Sequence, residues 1–261
     1  RAAAVEAACR ARPRLREGLC LFINLDRRTD RRERMERLAA PHKWLSAALQ
    51  RIPAVDGKSL NWDTLVHDKL FTRQAIETAR RAKEEKRATI GVTPLECSTH
   101  LTTGGFGCAL SHKKAWETLV ESSSRWALIL EDDLTGICER FDDELDRVLD
   151  KLPADWNMCY LGFHSGYLIP KGARFQGPLR ALRDTDGWLP GLWGYLISKA
   201  CARQLLKHAF PMGAQIDTEV GCRVSQKSGS FVVPEREFLL FSPPTEQSRD
   251  SDVQTFQQDM H

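Results

Sequence analysis

The sequence predicts an α/β fold in which a central, mostly parallel sheet is flanked by helices. Short runs of apolar, β-prone residues alternate along the chain with longer segments that have helical spacing. This alternation is typical of strand–helix–strand units, whose strands lie parallel in one sheet. With 261 residues, of which 42% are hydrophobic, the chain is long enough to bury one large core.

The first part of the chain predicts two strands and two helical segments. LCLFINL, residues 19–25, predicts a strand, and DRRTDRRERMERLAA predicts a helix capped by Thr29 or Asp30. RIPAVDGKSL predicts a second strand closed by a turn at Asp56 and Gly57. The next segment, FTRQAIETARRAKEEKRA, has the composition of a polar helix or of a mobile lid, and the sequence leaves both open.

A long surface loop is predicted over residues 91–107, because GVTPLECSTHLTTGGFG is rich in glycine, threonine and serine. CALSHKKAWETLVES then predicts a helix that begins at Cys108, and WALILEDD predicts a buried strand. Further strands are predicted in NMCYLGF, GLWGYLIS and FVVP, and a helix in KACARQLLKHAF.

No linker of low complexity interrupts this pattern, so we predict one domain over residues 19–241. Residues 1–18 begin without methionine and are expected to be either an N-terminal extension or the point at which a longer protein was cut. Residues 242–261 are expected to form a C-terminal tail that either packs across the domain or hangs loose.

Charge and cysteine content exclude several classes of protein. Lys and Arg number 38 against 35 Asp and Glu, a net charge of +3 that does not favour nucleic acid or a membrane surface. No apolar stretch approaches the ~20 residues that a membrane-spanning helix needs.

The eight cysteines contain no C-x-x-C pair, which argues against a zinc site. Cys97 and Cys108 form the one pair whose loop context suits a disulfide.

An acidic cluster ends the apolar run WALIL: Glu131, Asp132 and Asp133. Ligands of open α/β sheets bind outside the carboxyl ends of the strands, where this cluster is expected to lie. Residues two apart on a strand face the same side, so Glu131 and Asp133 can share one hard cation, Mn²⁺ or Mg²⁺, while Asp132 points elsewhere. The alternative is an acidic N-cap for a following helix.

Seven sequence blocks follow one another in order: INLDRRTDRRERM, PAVDG, GCALSHKKAW, ALILEDD, YLG, GYLISKACARQLL and IDTEV. Together they resemble glycosyltransferase family 25, which includes bacterial lipooligosaccharide galactosyltransferases and procollagen galactosyltransferases. The resemblance implies a GT-A-like fold, a nucleotide-diphosphate sugar as donor, a divalent metal at the acidic motif, and inversion of the anomeric centre. In the family's pattern the last aspartate is the surest ligand, so Asp133 is expected first and Glu131 second.

The same resemblance implies a set of donor-binding residues: Asn24, Leu25, Arg27, Arg31, Ser111, His112 and Asp132. Arg31 lies one turn into the predicted helix, where phosphate contact and a structural ion pair are both open. Ser111 and His112 are expected where the loop enters a helix, because free backbone N–H groups there favour an anion.

An inverting transfer also needs a base that takes the proton of the acceptor hydroxyl, and a carboxylate is a common solution. Asp217 in IDTEV is the candidate, and Glu219 would share its face on a strand. Either residue would otherwise bind acceptor or cap the next helix. Trp193 in GLWG suits a sugar or peptide acceptor, or plain core packing.

The expected donor is a UDP-sugar, with UDP-galactose favoured over UDP-glucose, and the acceptor is a hydroxyl on a glycan or on a hydroxylated protein. Two other functions stay open: a non-catalytic module of the same fold that serves binding or adhesion, and a nucleic-acid binder that uses the arginine-rich helix. The expected location is the lumen of the secretory pathway for a eukaryotic chain, and the cytoplasm or inner membrane for a bacterial one.

Overall fold

The structure is a computed structural model that describes residues 2–9, 12–89, 98–163, 175–182, 189, 191–221, 229–242 and 251–254. Its α-helices are α1 (Ala2–Ala8), α2 (Thr29–Ala39), α3 (Lys43–Ala48), α4 (Trp62–His67), α5 (Arg73–Glu84), α6 (Thr103–Glu121), α7 (Phe141–Lys151), α8 (Lys199–His208) and α9 (Ile216–Val220). Its strands are β1 (Gly18–Asn24), β2 (Leu49–Pro53), β3 (Trp126–Glu131), β4 (Gly136–Ile137), β5 (Met158–Tyr160), β6 (Arg180–Ala181), β7 (Gly194–Ser198), β8 (Ser230–Val232) and β9 (Leu240–Phe241).

The described strands form a central sheet in the order β2-β1-β3-β7-β5-β8-β6. β1 pairs in parallel with both β2 and β3, and β5 pairs in parallel with β8. β7 runs antiparallel to β3 and β5, and β6 runs antiparallel to β8. All strands of this sheet except β6 and β7 therefore point in one direction. The predicted α/β fold with a mostly parallel sheet is confirmed.

The core lies on both faces of the central strands. Consecutive residues of β1 and β3 are buried, as expected for strands that helices cover on two sides. The long helix α6 packs against them and buries Phe106 and Trp116 completely. The predicted N-terminal extension also contributes, since Leu15 is fully buried in the same core.

Helix α6 begins earlier than predicted, so the expected loop is wrong for residues 103–107. The Thr102 hydroxyl caps the helix by accepting a hydrogen bond of 2.9 Å from the Gly105 N–H. A Cβ on Gly107 would lie 2.4 Å from the Val55 carbonyl oxygen. Glycine here permits close packing of α6 against the loop after β2, which composition alone does not distinguish from a flexible loop. Residues 91–97 lie outside the described residues.

The structure also tests the predictions for the segment after β2 and for the caps of α2. The polar segment after β2 is a helix, α5, whose N-cap Thr72 accepts a hydrogen bond of 3.1 Å from Ala75. The predicted caps of α2 are wrong, because the helix begins at Thr29 and Arg28 is its N-cap. The Asp30 carboxylate instead accepts two hydrogen bonds, of 3.0 and 2.9 Å, from the Arg28 guanidinium. Among the described residues, no helix is long and apolar enough to cross a bilayer.

Candidate functional site

The carboxyl ends of β1 and β3 open into a cavity of about 590 Å³. The residues that the sequence singles out for donor and metal binding all line it: Asn24, Leu25, Arg27, Arg31, Ser111, His112, Glu131, Asp132 and Asp133. They come together because β1 and β3 are parallel neighbours, so that their carboxyl ends meet at one edge of the sheet.

Asp132 is the centre of a buried polar cluster. Its Oδ1 accepts a hydrogen bond of 2.8 Å from Arg31 Nη1, and its Oδ2 accepts one of 2.7 Å from Asn24 Nδ2. The three residues are 8%, 6% and 1% exposed, respectively. Burial raises the pKa of Asp132, and the Arg31 hydrogen bond partly offsets this effect. Arg31 therefore makes the structural ion pair that the sequence left open, and the pair joins α2 to the end of β3.

The amide of Asn24 is also fully engaged by the protein. Besides Asp132, its Nδ2 donates to the Arg28 carbonyl oxygen at 2.9 Å, and its Oδ1 accepts from Arg51 Nε at 2.9 Å. The Asn24 side chain thus fixes the loop that follows β1, and it holds the Asp132 carboxylate in place at the cavity wall.

Asp133 presents a carboxylate oxygen that no described residue satisfies. Its Oδ1 is buried and accepts no hydrogen bond from the residues that the structure describes. Burial and the neighbouring charge of Glu131 raise the pKa of Asp133 to about 7. A buried carboxylate normally has a partner, and a divalent cation that prefers oxygen ligands would supply one here. The residues at the strand tip therefore fit Mn²⁺ or Mg²⁺.

Glu131 is held by a chain of hydrogen bonds from α6 and β7. Trp116 Nε1, which can only donate, lies 2.9 Å from the Tyr195 hydroxyl oxygen. Tyr195 in turn lies 2.8 Å from His112 Nδ1, and His112 Nε2 lies 3.0 Å from Glu131 Oε1. All four groups are satisfied when Tyr195 donates to Nδ1 and the Nε2–H donates to Glu131. The chain thus orients one of the two predicted metal ligands.

Ser111 and His112 do not lie at the start of a helix, so the predicted placement of both residues is wrong. They lie inside α6, where backbone N–H groups bond to carbonyl groups of the preceding turn. The Ser111 hydroxyl donates to the Gly107 carbonyl oxygen at 2.6 Å and accepts from the Val55 N–H at 2.8 Å. It therefore holds the loop after β2 against α6.

Basic side chains and a segment of the predicted tail form the other walls of the cavity. Asp252 pairs with Arg27 Nη2 at 2.6 Å and with Arg28 Nη1 at 2.8 Å, and Arg27 also pairs with Asp56. Additional cationic side chains line the cavity: Lys58, Lys83, Lys86 and Arg87. Residues 251–254 thus pack across the domain, one of the two arrangements expected for the tail. Cationic walls suit an anionic ligand.

The sequence did not indicate Asp252 as part of the site. It lies 225 positions from Arg27, its ion-pair partner, and no local pattern marks it. Cys108, another cavity residue that was not assigned to the site, does have a local signal. Its C-x-x-x-H spacing with His112 places both side chains on one face of a helix.

Asp217 and Glu219 lie on α9 and do not line this cavity. The predicted strand is wrong, because the buried residues Ile216 and Val220 have the spacing of one helix face. Side chains two apart on a helix point to different faces, so the expected shared face is also wrong.

The two carboxylates have different partners. Asp217 accepts hydrogen bonds from the N–H groups of Thr218 at 2.8 Å and Gly191 at 3.3 Å. Burial raises the pKa of Asp217, and the charge of Glu131 adds to this shift. Glu219 Oε1 accepts hydrogen bonds from the N–H groups of Gly213 at 2.6 Å and Ala214 at 3.2 Å, so it anchors the loop before α9.

Cys108, His112 and Glu131 form a compact group at the cavity wall. One ligand atom from each lies within 4.8 Å of the others. Cys108 is a free thiol, and Cys97, its expected disulfide partner, lies outside the described residues.

The sequence of this chain is similar to those of known proteins. A family model described as glycosyltransferase family 25 (LPS biosynthesis protein) matches residues 20–220. The chain is 31% identical to procollagen galactosyltransferase 2 of Mus musculus over 203 residues, which are 76% of this chain and 28% of the relative. It is 30% identical to procollagen galactosyltransferase 1-B of Xenopus laevis over 207 residues, 76% of this chain and 29% of that one. The chain thus spans less than a third of the length of these relatives.

Proposed function

Because this chain belongs to glycosyltransferase family 25, we propose that it is a metal-dependent glycosyltransferase that moves galactose from UDP-galactose to a hydroxyl group, with inversion of the anomeric centre. The observation that carries the proposal is the buried Oδ1 of Asp133, which has no hydrogen-bond partner in the part of the chain that the structure describes. This oxygen lies in a cavity with cationic walls at the carboxyl edge of the sheet. This position is where open α/β sheets bind their ligands.

The cavity suits a nucleotide-diphosphate sugar in size and in charge. Its volume of about 590 Å³ falls within the usual range for small-molecule sites. Arg27 and Lys58 provide cationic groups for a diphosphate. Apolar residues of the wall, such as Leu25 and Val55, provide a surface against which a flat base can pack.

Asp133 and Glu131 would hold the divalent cation, Mn²⁺ or Mg²⁺. When bound, this cation supplies electrostatic stabilisation for the negative charge of the leaving nucleoside diphosphate. The remaining contribution comes from the protein itself. The cluster of Asn24, Arg31 and Asp132 holds the end of β3, and His112 holds the Glu131 carboxylate.

Asp217 is the proposed base for the acceptor hydroxyl. Burial raises its pKa, which makes the carboxylate a better proton acceptor, and two backbone N–H groups fix its position. Glu219 is the second candidate, and its Oε1 accepts two backbone hydrogen bonds that anchor the loop before α9.

The relatives support two classes of acceptor. The printed names of the animal proteins point to hydroxyl groups on procollagen, and the family description points to a glycan of lipopolysaccharide. The proposal therefore includes a hydroxylated protein or a glycan as acceptor, with UDP-glucose as the alternative donor.

Calorimetric titration of UDP into the protein, with and without Mn²⁺, tests the donor site. We expect binding that requires Mn²⁺ in the wild-type chain and is lost in Asp133→Ala. Glu139→Ala is the matched control, because Glu139 is an exposed carboxylate outside the cavity lining. Absence of UDP binding in the folded wild-type protein with Mn²⁺ would overturn the proposal and favour a non-catalytic module.

A further inference from the structure

Three side chains of different chemistry converge at the acidic end of the cavity. Cys108 and His112 lie one turn apart on the same face of α6, and Glu131 is the last residue of β3. The Cys108 Sγ, one His112 ring nitrogen and one Glu131 carboxylate oxygen all lie within 4.8 Å of one another. Movements of a few tenths of an ångström to about 1 Å would bring such atoms around a single ion.

The histidine of this group is already oriented as a ligand. His112 is 0% exposed, and its Nδ1 lies 2.8 Å from the Tyr195 hydroxyl, which is itself held by Trp116. A metal-bound histidine generally bonds through its second nitrogen to such an outer partner, which fixes the ring. The Nε2 atom is thereby directed toward Glu131 and the cavity.

The donor set determines which cation it suits. One sulfur, one nitrogen and one carboxylate oxygen are typical of zinc, whereas Mg²⁺ and Mn²⁺ prefer oxygen ligands. Three protein ligands leave a fourth position, and all three residues line the cavity, so that this position is accessible from it. The group therefore differs in preference from the pair of carboxylates at Glu131 and Asp133.

We propose that Cys108, His112 and Glu131 form a second cation site, which takes a thiophilic divalent ion such as Zn²⁺ and competes with the hard cation for Glu131. On binding, the Cys108 S–H bond breaks, a sulfur–metal bond forms, and the proton leaves to solvent. His112 changes tautomer by proton exchange with solvent: its Nε2–H bond breaks as the nitrogen–metal bond forms, that proton leaves, and one proton is taken up at Nδ1. The Tyr195 hydroxyl, which donates to Nδ1 in the metal-free site, then accepts from the Nδ1–H, so the net release is the single proton of Cys108.

Burial and the nearby carboxylates raise the pKa of the Cys108 thiol, so without metal this group is a neutral thiol. The metal-free site thus avoids a second negative charge beside the partly exposed Glu131. The competition for Glu131 rests on the proposed function, whereas binding of the thiophilic ion does not.

Cobalt provides a spectroscopic probe of the binding step. We expect Co²⁺, added to the reduced, metal-free full chain, to give a near-ultraviolet sulfur-to-cobalt charge-transfer band at one equivalent. Cys108→Ser should lose this band while it keeps the far-ultraviolet circular dichroism of the wild type. Cys138→Ser is the matched control, because Cys138 is also a partly buried free thiol and should keep the band. A band that survives in Cys108→Ser would overturn the site.

Competition is measured separately by UDP titration in Mn²⁺. At a Zn²⁺ concentration of about ten times its Kd, mass action predicts about tenfold weaker UDP binding in the wild type and little change in Cys108→Ser. UDP binding that Zn²⁺ does not affect would overturn the competition. A cobalt band without UDP binding would refute the proposed function alone, and UDP binding without a cobalt band would refute the second site alone.

Discussion

Asn24 and Asp132, which are 108 positions apart in the sequence, are joined by a hydrogen bond of 2.7 Å between the amide and the carboxylate. The second carboxylate oxygen of Asp132 accepts from Arg31 at 2.8 Å. Both carboxylate oxygens of the middle residue of the acidic motif are therefore used to hold the fold. Its neighbours Glu131 and Asp133 have fewer hydrogen bonds to the described residues. One motif thus combines a structural carboxylate with the two carboxylates proposed to bind metal.

Asp132→Asn should destabilise the protein because it removes the buried counter-charge that Arg31 contacts. Loss of one partner from a buried ion pair costs about 3–5 kcal/mol. Urea denaturation followed by circular dichroism measures the change. Asp30→Asn is the control, since the Asp30 side chain is 65% exposed where it pairs with Arg28, and exposed ion pairs contribute little to stability. Equal losses in the two variants would contradict the structural role of Asp132.

Tyr195→Phe should destabilise the protein, because it leaves the indole N–H of Trp116 and Nδ1 of His112 without their shared partner. An unsatisfied buried polar group costs about 1–3 kcal/mol. We also expect weaker Co²⁺ binding, since His112 loses the contact that orients its ring. Thermal unfolding and cobalt absorbance measure the two effects.

Tyr160→Phe is the matched control for this variant. Tyr160 is also 0% exposed, but its hydroxyl has no hydrogen-bond partner among the described residues. Removal of that hydroxyl should leave stability unchanged or raise it slightly. If Tyr160→Phe costs as much as Tyr195→Phe, the hydrogen-bond chain does not carry the stability assigned to it.

Asp252→Asn should strengthen UDP binding in the presence of Mn²⁺. The Asp252 carboxylate pairs with Arg28 and with Arg27, which lines the cavity where a diphosphate would bind. Partly exposed ion pairs contribute up to about 1 kcal/mol, so we expect an affinity gain of about threefold to fivefold at low salt. Calorimetry measures this gain, with Asp155→Asn as an exposed control outside the cavity lining. Weaker binding would show instead that Asp252 orients the arginines for the ligand.

Gly107→Ala should destabilise the protein by about 1–3 kcal/mol, because the added methyl group forces a backbone shift. Its Cβ would lie 2.4 Å from the Val55 carbonyl oxygen. Gly105→Ala is the control in the same helix, since its Cβ would have no neighbour closer than 3.3 Å. Alanine there should be neutral or stabilise α6 through its helix propensity. Thermal unfolding measures the stability of both variants. If Gly107→Ala is as stable as Gly105→Ala, close approach of the loop after β2 does not explain why position 107 is glycine.

Much of the architecture was predictable because it depends on short-range patterns. The apolar runs LCLFINL and WALIL are buried strands, and the acidic residues after WALIL lie at a strand end, as their positions along the chain predict. The helix of IDTEV was missed because five residues are too few to show helical periodicity clearly, although Ile216 and Val220 have the i, i+4 spacing of one helix face. The start of α6 was missed because glycine composition indicates both flexible loops and close packing.

Local patterns were enough to predict most strands and helices, the position of the acidic motif at the edge of the sheet, and the family, because periodicity and motifs are properties of neighbouring residues. The use of each carboxylate, in contrast, depends on the fold. Asp132 pairs with Arg31 of α2, and Glu131 contacts His112 of α6. Asp133 has an oxygen that none of the described residues contacts by a hydrogen bond. These differences arise from contacts between distant segments, and such contacts depend on the packing of the whole chain.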